Sequence, residues 1–138
     1  VGMCICNDRR WAETYRVLGL QGVELVLLGY NTPMEIPEYP ELNPLVGFHN
    51  QLSMQAGAYQ NGTWVLGAAK TGCEEGVEQL AESCVIAPSG EIRAVAKTNH
   101  DELIVHACDL DETIPYKEGL LNFEINRRVE YYQLITQQ

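Results

Sequence analysis

Positive charge is what this sequence has least of. Nine lysines and arginines face nineteen aspartates and glutamates, for a net charge of −10. That balance argues against nucleic acid and anionic membrane surfaces as partners, because both are bound through basic patches. Long apolar runs are missing too: none approaches the roughly 18 residues of a membrane span. Cysteine is present without a framework. The five cysteines, at positions 4, 6, 73, 84 and 108, are odd in number, form no CxxC pair and have no histidine at a zinc-like spacing. A metal site and a disulfide scaffold are therefore set aside, and reduced thiols in a cytoplasmic protein are expected.

What is there suits one globular domain. A hydrophobic share of 46% over 138 residues is enough to bury a core. The chain opens on apolar "VGMCIC" with no initiator Met and no leader pattern, as if in mid-strand. It is expected to be a segment of a longer protein cut upstream of residue 1.

Along the chain, residues 1–6 read as a buried strand. Residues 9–21 read as a helix with Gly22 near its C-cap, and "VELVLLG" (23–29) as a second buried strand. Strand, helix and strand with short connections make a βαβ unit with parallel strands. Four prolines in residues 30–44 break regular structure, and so long a loop is expected to be functional or exposed. A helix over about residues 45–60 should place Phe48, Leu52, Gln55, Ala56 and Tyr59 along one face. "TWVLGAAK" (63–70) is a strand in which Gly67 implies the close approach of a neighbour. "CVIAPSGEIRAVAKT" is a hairpin turning at Pro88-Ser89-Gly90, residues 102–111 are a further strand, and helix follows from residue 112, including "INRRVEYYQLI".

The chemistry concentrates at Cys6-Asn7-Asp8-Arg9-Arg10, where a strand passes into a helix. At such an elbow the helix N-terminus favours thiolate over thiol, and free backbone N–H groups are placed to hold an oxyanion. Cys6 fits this role; it also fits a small buried hydrophobe, the role assigned to Cys4. Arg9 and Arg10 in a first helical turn oppose the helix dipole, so something other than helix stability is expected to place them there. Their guanidinium forks suit a substrate carboxylate, bidentately, with salt bridges to Asp8 or Glu13 as the alternative. Lys70, Glu74 and Glu75 are the best internal candidates for further polar contacts, and His49, His100 and His106 are given no catalytic work.

These residues resemble a known family. "GMCICNDRRWAETYRVLGLQGVELVLLGYNTP" is similar to the nucleophile region of the nitrilase superfamily, the carbon–nitrogen hydrolases, and within it to the N-carbamoyl-D-amino acid amidohydrolase (D-carbamoylase) branch. "LSMQAGAYQNGTW", "EEG", "APSGEI" and "NFEINRR" extend the likeness over nearly the whole chain. The resemblance implies an α/β fold, part of a four-layer αββα sandwich whose N-terminal portion is missing. Residues 1–138 would be the C-terminal portion of a single hydrolase domain, a homodimer or homotetramer when full length. It further implies a Glu–Lys–Cys triad without metal or organic cofactor, and an N-carbamoyl amino acid as small-molecule partner. Cys6 would be the nucleophile, Asn7 would flank it and lend its backbone N–H, Arg9 and Arg10 would hold the substrate carboxylate, and Asn31 and Thr32 would line the pocket. Ala12 stands where the family usually has Pro, a change a first helical turn tolerates. The family places its Glu and Lys many tens of residues before the Cys, whereas five residues precede Cys6. The chain alone is therefore expected to be inactive. Two other readings stay open: a nitrilase or aliphatic amidase of the same superfamily, and a non-catalytic remnant or split-enzyme piece.

Overall fold

The strands assemble in an order that follows from the two crossovers. A computed structural model describes residues 1–137. β1 (Gly2–Ile5) leads through a 3₁₀ turn, Cys6–Arg10, into α1 (Ala12–Leu20). β2 (Leu25–Tyr30) follows, then the proline loop with a second 3₁₀ turn at Pro40–Leu45, then α2 (Val46–Asn61) and β3 (Trp64–Ala69). β1, β2 and β3 are parallel neighbours, as two successive βαβ units require. A small excursion, β4 (Cys73–Glu74) with β5 (Val77–Glu78), precedes the hairpin of β6 (Cys84–Ile86) and β7 (Ile92–Val95). The hairpin joins antiparallel to β3, giving a mixed five-stranded sheet in the order β1-β2-β3-β6-β7. Three strand ends, after Ile5, Tyr30 and Ala69, thus open onto one edge, where α/β sheets place their ligands.

The main core lies between the sheet and the helix layer. Val26, Leu28, Tyr30, Val65, Cys84 and Ile86 point into it from the strands, against Tyr15 of α1 and Met54 and Ala58 of α2. Backbones approach closely there. A Cβ on Gly67 would lie 2.9 Å from the Tyr30 ring and 3.2 Å from the Met54 sulfur, the close approach expected of that glycine. A Cβ on Gly57 would meet the buried Tyr15 ring at 2.6 Å. Gly57→Ala is therefore expected to destabilise the fold by about 1–3 kcal/mol through overpacking, read as a lower urea midpoint with an unchanged slope.

Several elements differ from the sequence expectation. α2 buries Asn50, Met54, Gly57, Ala58 and Asn61, and it leaves Phe48 and Leu52 at 61% and 48% exposure. Close helix–sheet contact selects small side chains over large apolar ones. β1 is an edge strand rather than a buried one, with Met3 and Ile5 at 76% and 69% exposure. Residues 102–109 form no strand. They cross the second face of the sheet, where Ile104 and Cys108 pack with Trp64, Val85 and Ala87, while Leu103 and Val105 face outward. The Trp64 indole N–H donates to the Asp109 carbonyl at 2.8 Å and its ring lies 5.6 Å from His106. The alternation of that segment records packing on a sheet face, without strand pairing. Beyond residue 109 the expected long helix is a series of short turns and α3 (Phe123–Asn126). Pro115, the left-handed Asn122 (φ 30°) and the extended Arg127 (φ −70°, ψ 144°) interrupt it. No helix among the described residues is long and apolar enough to cross a membrane.

Candidate active site

Cys6 is the first residue past β1, and it carries φ +48°. A left-handed conformation costs a non-glycine residue on the order of 1–3 kcal/mol and persists only where neighbours enforce it. The enforcing contacts are on both sides. The Ile5 amide donates to the Asp8 carboxylate at 3.1 Å, closing the turn from below, and the Trp11 amide donates to the Asp8 carbonyl at 3.2 Å. Arg9 donates from NH1 to the carbonyl of Cys6 itself at 2.6 Å. The half-buried thiol lies 3.8 Å from the Asn31 carbonyl at the end of β2.

The arginines do not open the helix. They close the five-residue 3₁₀ turn; Trp11 is extended, and α1 starts at Ala12. Cations at the end of a helical turn suit its dipole, so the expected conflict disappears. The pair also divides. Arg10 is exposed, whereas Arg9 is only 1% exposed. Besides Cys6, the Arg9 guanidinium donates to Asn50 Oδ1 at 3.1 Å and to Thr32 Oγ1 at 2.7 Å. Its carbon sits 4.4 Å above the Tyr30 ring. Burial, then Arg10, pushes its ionisation below the ordinary guanidinium range. Among the described residues it makes no ion pair, so this cation is held by neutral oxygens and a ring face.

The network continues outward. Asn50 donates from Nδ2 to the Tyr30 hydroxyl at 3.3 Å, and that hydroxyl donates to the Glu82 carbonyl at 3.0 Å. Thr32 is buried, and its carbonyl accepts from the Leu80 amide at 2.8 Å. The elbow, the end of β2, helix α2 and the approach to β6 are thereby tied to one guanidinium. Cys6, Arg9, Asn31 and Thr32 come together, and Asn7 and Arg10 stand on the exposed turn beside them. Tyr30 and Asn50 are the members of this network that sequence reasoning missed. Their signal was faint: Asn50 shares a helical face with Met54, Gly57 and Asn61, a polar residue on an otherwise close-packed stripe.

Other candidates lie apart. Lys70 pairs with Glu74, and both are solvent-accessible. His49 and His100 are exposed, and the His106 ring lies tilted against Trp64. Burial and then Asp8 push the Cys4 thiol up, and burial pushes that of Cys84 up to about 11, so both are poor nucleophiles.

Parallel strands of a mixed sheet that end at a strained, polar-buttressed cysteine have the arrangement of a nucleophile elbow. Residues 1–118 match the family model of the carbon–nitrogen hydrolases, and the chain belongs to that family. It is 28% identical to a nitrilase of Pyrococcus abyssi over 134 residues, 96% of this chain and 46% of that protein. The fold is that of a carbon–nitrogen hydrolase from Helicobacter pylori G27, with TM-score 0.81, 18% identity, and coverage of 99% of this chain and 48% of that one. It is also similar to an amidase of Nesterenkonia sp. AN1 carrying an acetamide group covalently added at its active-site cysteine, with TM-score 0.66, 20% identity and coverage of 96% and 42%. The chain spans a little under half the length of the curated relatives it matches, 45% and 46%.

Proposed function

We propose that this chain is the C-terminal portion of a carbon–nitrogen hydrolase domain, and that it supplies the nucleophile side of a site hydrolysing N-carbamoyl-D-amino acids. The observation that carries the reading is Cys6, held left-handed at a strand end with the exposed Arg10 on the same turn. The Cys6 sulfur attacks the carbamoyl carbon. The bond from that carbon to its terminal nitrogen breaks, and the nitrogen takes up a proton and leaves as ammonia. Water then attacks the thioester-type carbonyl and returns the thiol, and the released carbamic acid loses carbon dioxide to give the D-amino acid. In this reading the protons are moved by the Glu and Lys of the family's triad, which the family carries before its Cys.

Arg10 grips the substrate carboxylate, and Asn7 and Asn31, both exposed beside the thiol, line its path. Arg9 and Thr32, expected from sequence to touch substrate, serve instead from beneath, because their side chains are buried against each other. That burial also favours a second reading, a nitrilase or amidase acting on a neutral substrate, since one free guanidinium remains where two were expected. Arg10 decides between them. In a complete hydrolase carrying this chain, Arg10→Ala should raise KM for N-carbamoyl-D-phenylalanine roughly tenfold or more with kcat little changed, the loss of one charge-assisted contact. An unchanged KM favours the neutral substrate.

A further inference from the structure

Asn50 lies on α2, 41 positions from Arg9, and its buried side chain reaches the Arg9 guanidinium. The orientation of its amide is fixed from both ends. The Glu82 carbonyl can only accept, so the Tyr30 hydroxyl donates to it, at 3.0 Å. The hydroxyl oxygen therefore accepts from Asn50 Nδ2, at 3.3 Å. Oδ1 is left facing Arg9 Nε, which can only donate, at 3.1 Å. A neutral side chain of this size that accepts at one end and donates at the other is an amide.

Every nitrogen of the guanidinium has an acceptor, and each acceptor is uncharged: Asn50 Oδ1 for Nε, the Cys6 carbonyl for NH1 and Thr32 Oγ1 for NH2. The carboxylates that border the network are engaged elsewhere. Asp8 accepts from the Ile5 amide, and Glu82 accepts from Gln51 Nε2 at 3.1 Å. A buried cation without an anion is destabilising, and a carboxylate at position 50 would relieve that in a chain already carrying nineteen of them. An amide stands there instead. The positive charge is thus left free at the turn that carries the thiol. Burial and then Arg10 hold the ionisation of Arg9 down, and Tyr30 and then Cys6 act in the opposite sense, so the thiol lies within electrostatic range of this guanidinium.

We propose that Asn50 is a positioning residue of the hydrolytic site, which fixes Arg9 without neutralising it and so keeps a full positive charge at the Cys6 turn. The proposal rests on Cys6 as nucleophile and is independent of the carbamoyl substrate. Asn50→Asp and Asn50→Ala, in a complete hydrolase carrying this chain, test it. Asp keeps the shape and the acceptor but sets an anion on the guanidinium; Ala removes the acceptor and leaves the charge. Asn50→Asp should lower kcat roughly tenfold or more with KM within about twofold. Its kcat should fall below that of Asn50→Ala, although it unfolds at the same temperature as the Ala variant or higher. A role in packing alone gives the reverse order, because the isostere preserves the fold better.

Alkylation adds a readout that needs no substrate. Iodoacetamide should label Cys6 of the Asp variant about threefold or more slowly than in the parent, with the exposed Cys73 unchanged as internal reference. Slower labelling of Cys6, joined to a parent that does not turn over N-carbamoyl-D-phenylalanine, supports this proposal and sinks the carbamoyl reading alone. If Asn50→Asp does not fold, Asn50→Ala carries the test: Arg9 loses one acceptor, and kcat should fall about threefold or more at unchanged KM. Labelling of Cys6 at the parent rate, an Asp variant as active as the Ala variant, a raised KM with kcat spared, or an Ala variant with the parent kcat would each overturn the proposal.

Discussion

Arg9→Met, introduced into a complete hydrolase carrying this chain, is expected to lower kcat roughly a hundredfold while leaving KM within about twofold, for carboxylate and neutral substrates alike. The reason is the direction of its guanidinium. It donates to the Cys6 carbonyl, to Asn50 and to Thr32, and it is shut off from solvent. Its removal frees the strained elbow to relax from φ +48° and withdraws a fixed cation from beneath the sulfur. Charge that develops at the sulfur or the attacked carbonyl then loses a preorganised partner, and that loss falls on the transition state rather than on substrate binding. The effect on stability is expected to be smaller, within about 2 kcal/mol, because the loss of three hydrogen bonds is offset by no longer burying an unpaired charge. Steady-state kinetics beside the Arg10→Ala enzyme make the comparison, since that variant should lose KM and keep kcat. If Arg9→Met instead raises KM for carboxylate substrates and spares kcat, Arg9 belongs to the substrate.

The isolated chain should release ammonia from N-carbamoyl-D-phenylalanine at least roughly 10⁴-fold more slowly than a complete homologue. Among the described residues the thiol of Cys6 has one hydrogen-bond partner, the Asn31 carbonyl, which takes no proton. The nearest acid on its own turn, Asp8, is occupied by the Ile5 amide, and the Lys70–Glu74 pair is turned to itself at the solvent boundary. A positioned base alone is worth about 10²–10⁴, and the stabilising cation is missing as well. An ammonia assay on purified chain makes the measurement, and a rate near that of the complete homologue would show that this chain holds its own acid and base. The same chain should still take up iodoacetamide at Cys6 faster than at Cys84, read by peptide mass spectrometry, because Cys84 is sealed in the core.

Much of this architecture was legible from local pattern. The strand, elbow, helix and strand of residues 1–30 show themselves through apolar runs broken by Cys6-Asn7-Asp8 and by Gln21-Gly22, and the hairpin shows itself through Pro88-Ser89-Gly90. Such signals depend on a residue and its near neighbours, which is why they survive without tertiary information. Residues 102–109 misled because alternation measures which side is covered, and a segment lying across a sheet face alternates as a strand does. The face of α2 misled because hydrophobicity ranks Phe48 and Leu52 above Gly57, whereas the close approach of Tyr15 ranks them the other way.

By itself, the sequence determined the class of fold and the family, since each is written in contiguous residues whose types set their own conformation. Only the tertiary structure decided where the two arginines lie. They are adjacent and chemically identical, and nothing local separates them. One is turned inward by Asn50, 41 positions away, and by Thr32, 23 away, and the other is left in solvent. Burial and hydrogen bonding between distant segments set those positions, and no pattern within the Cys-Asn-Asp-Arg-Arg run encodes them.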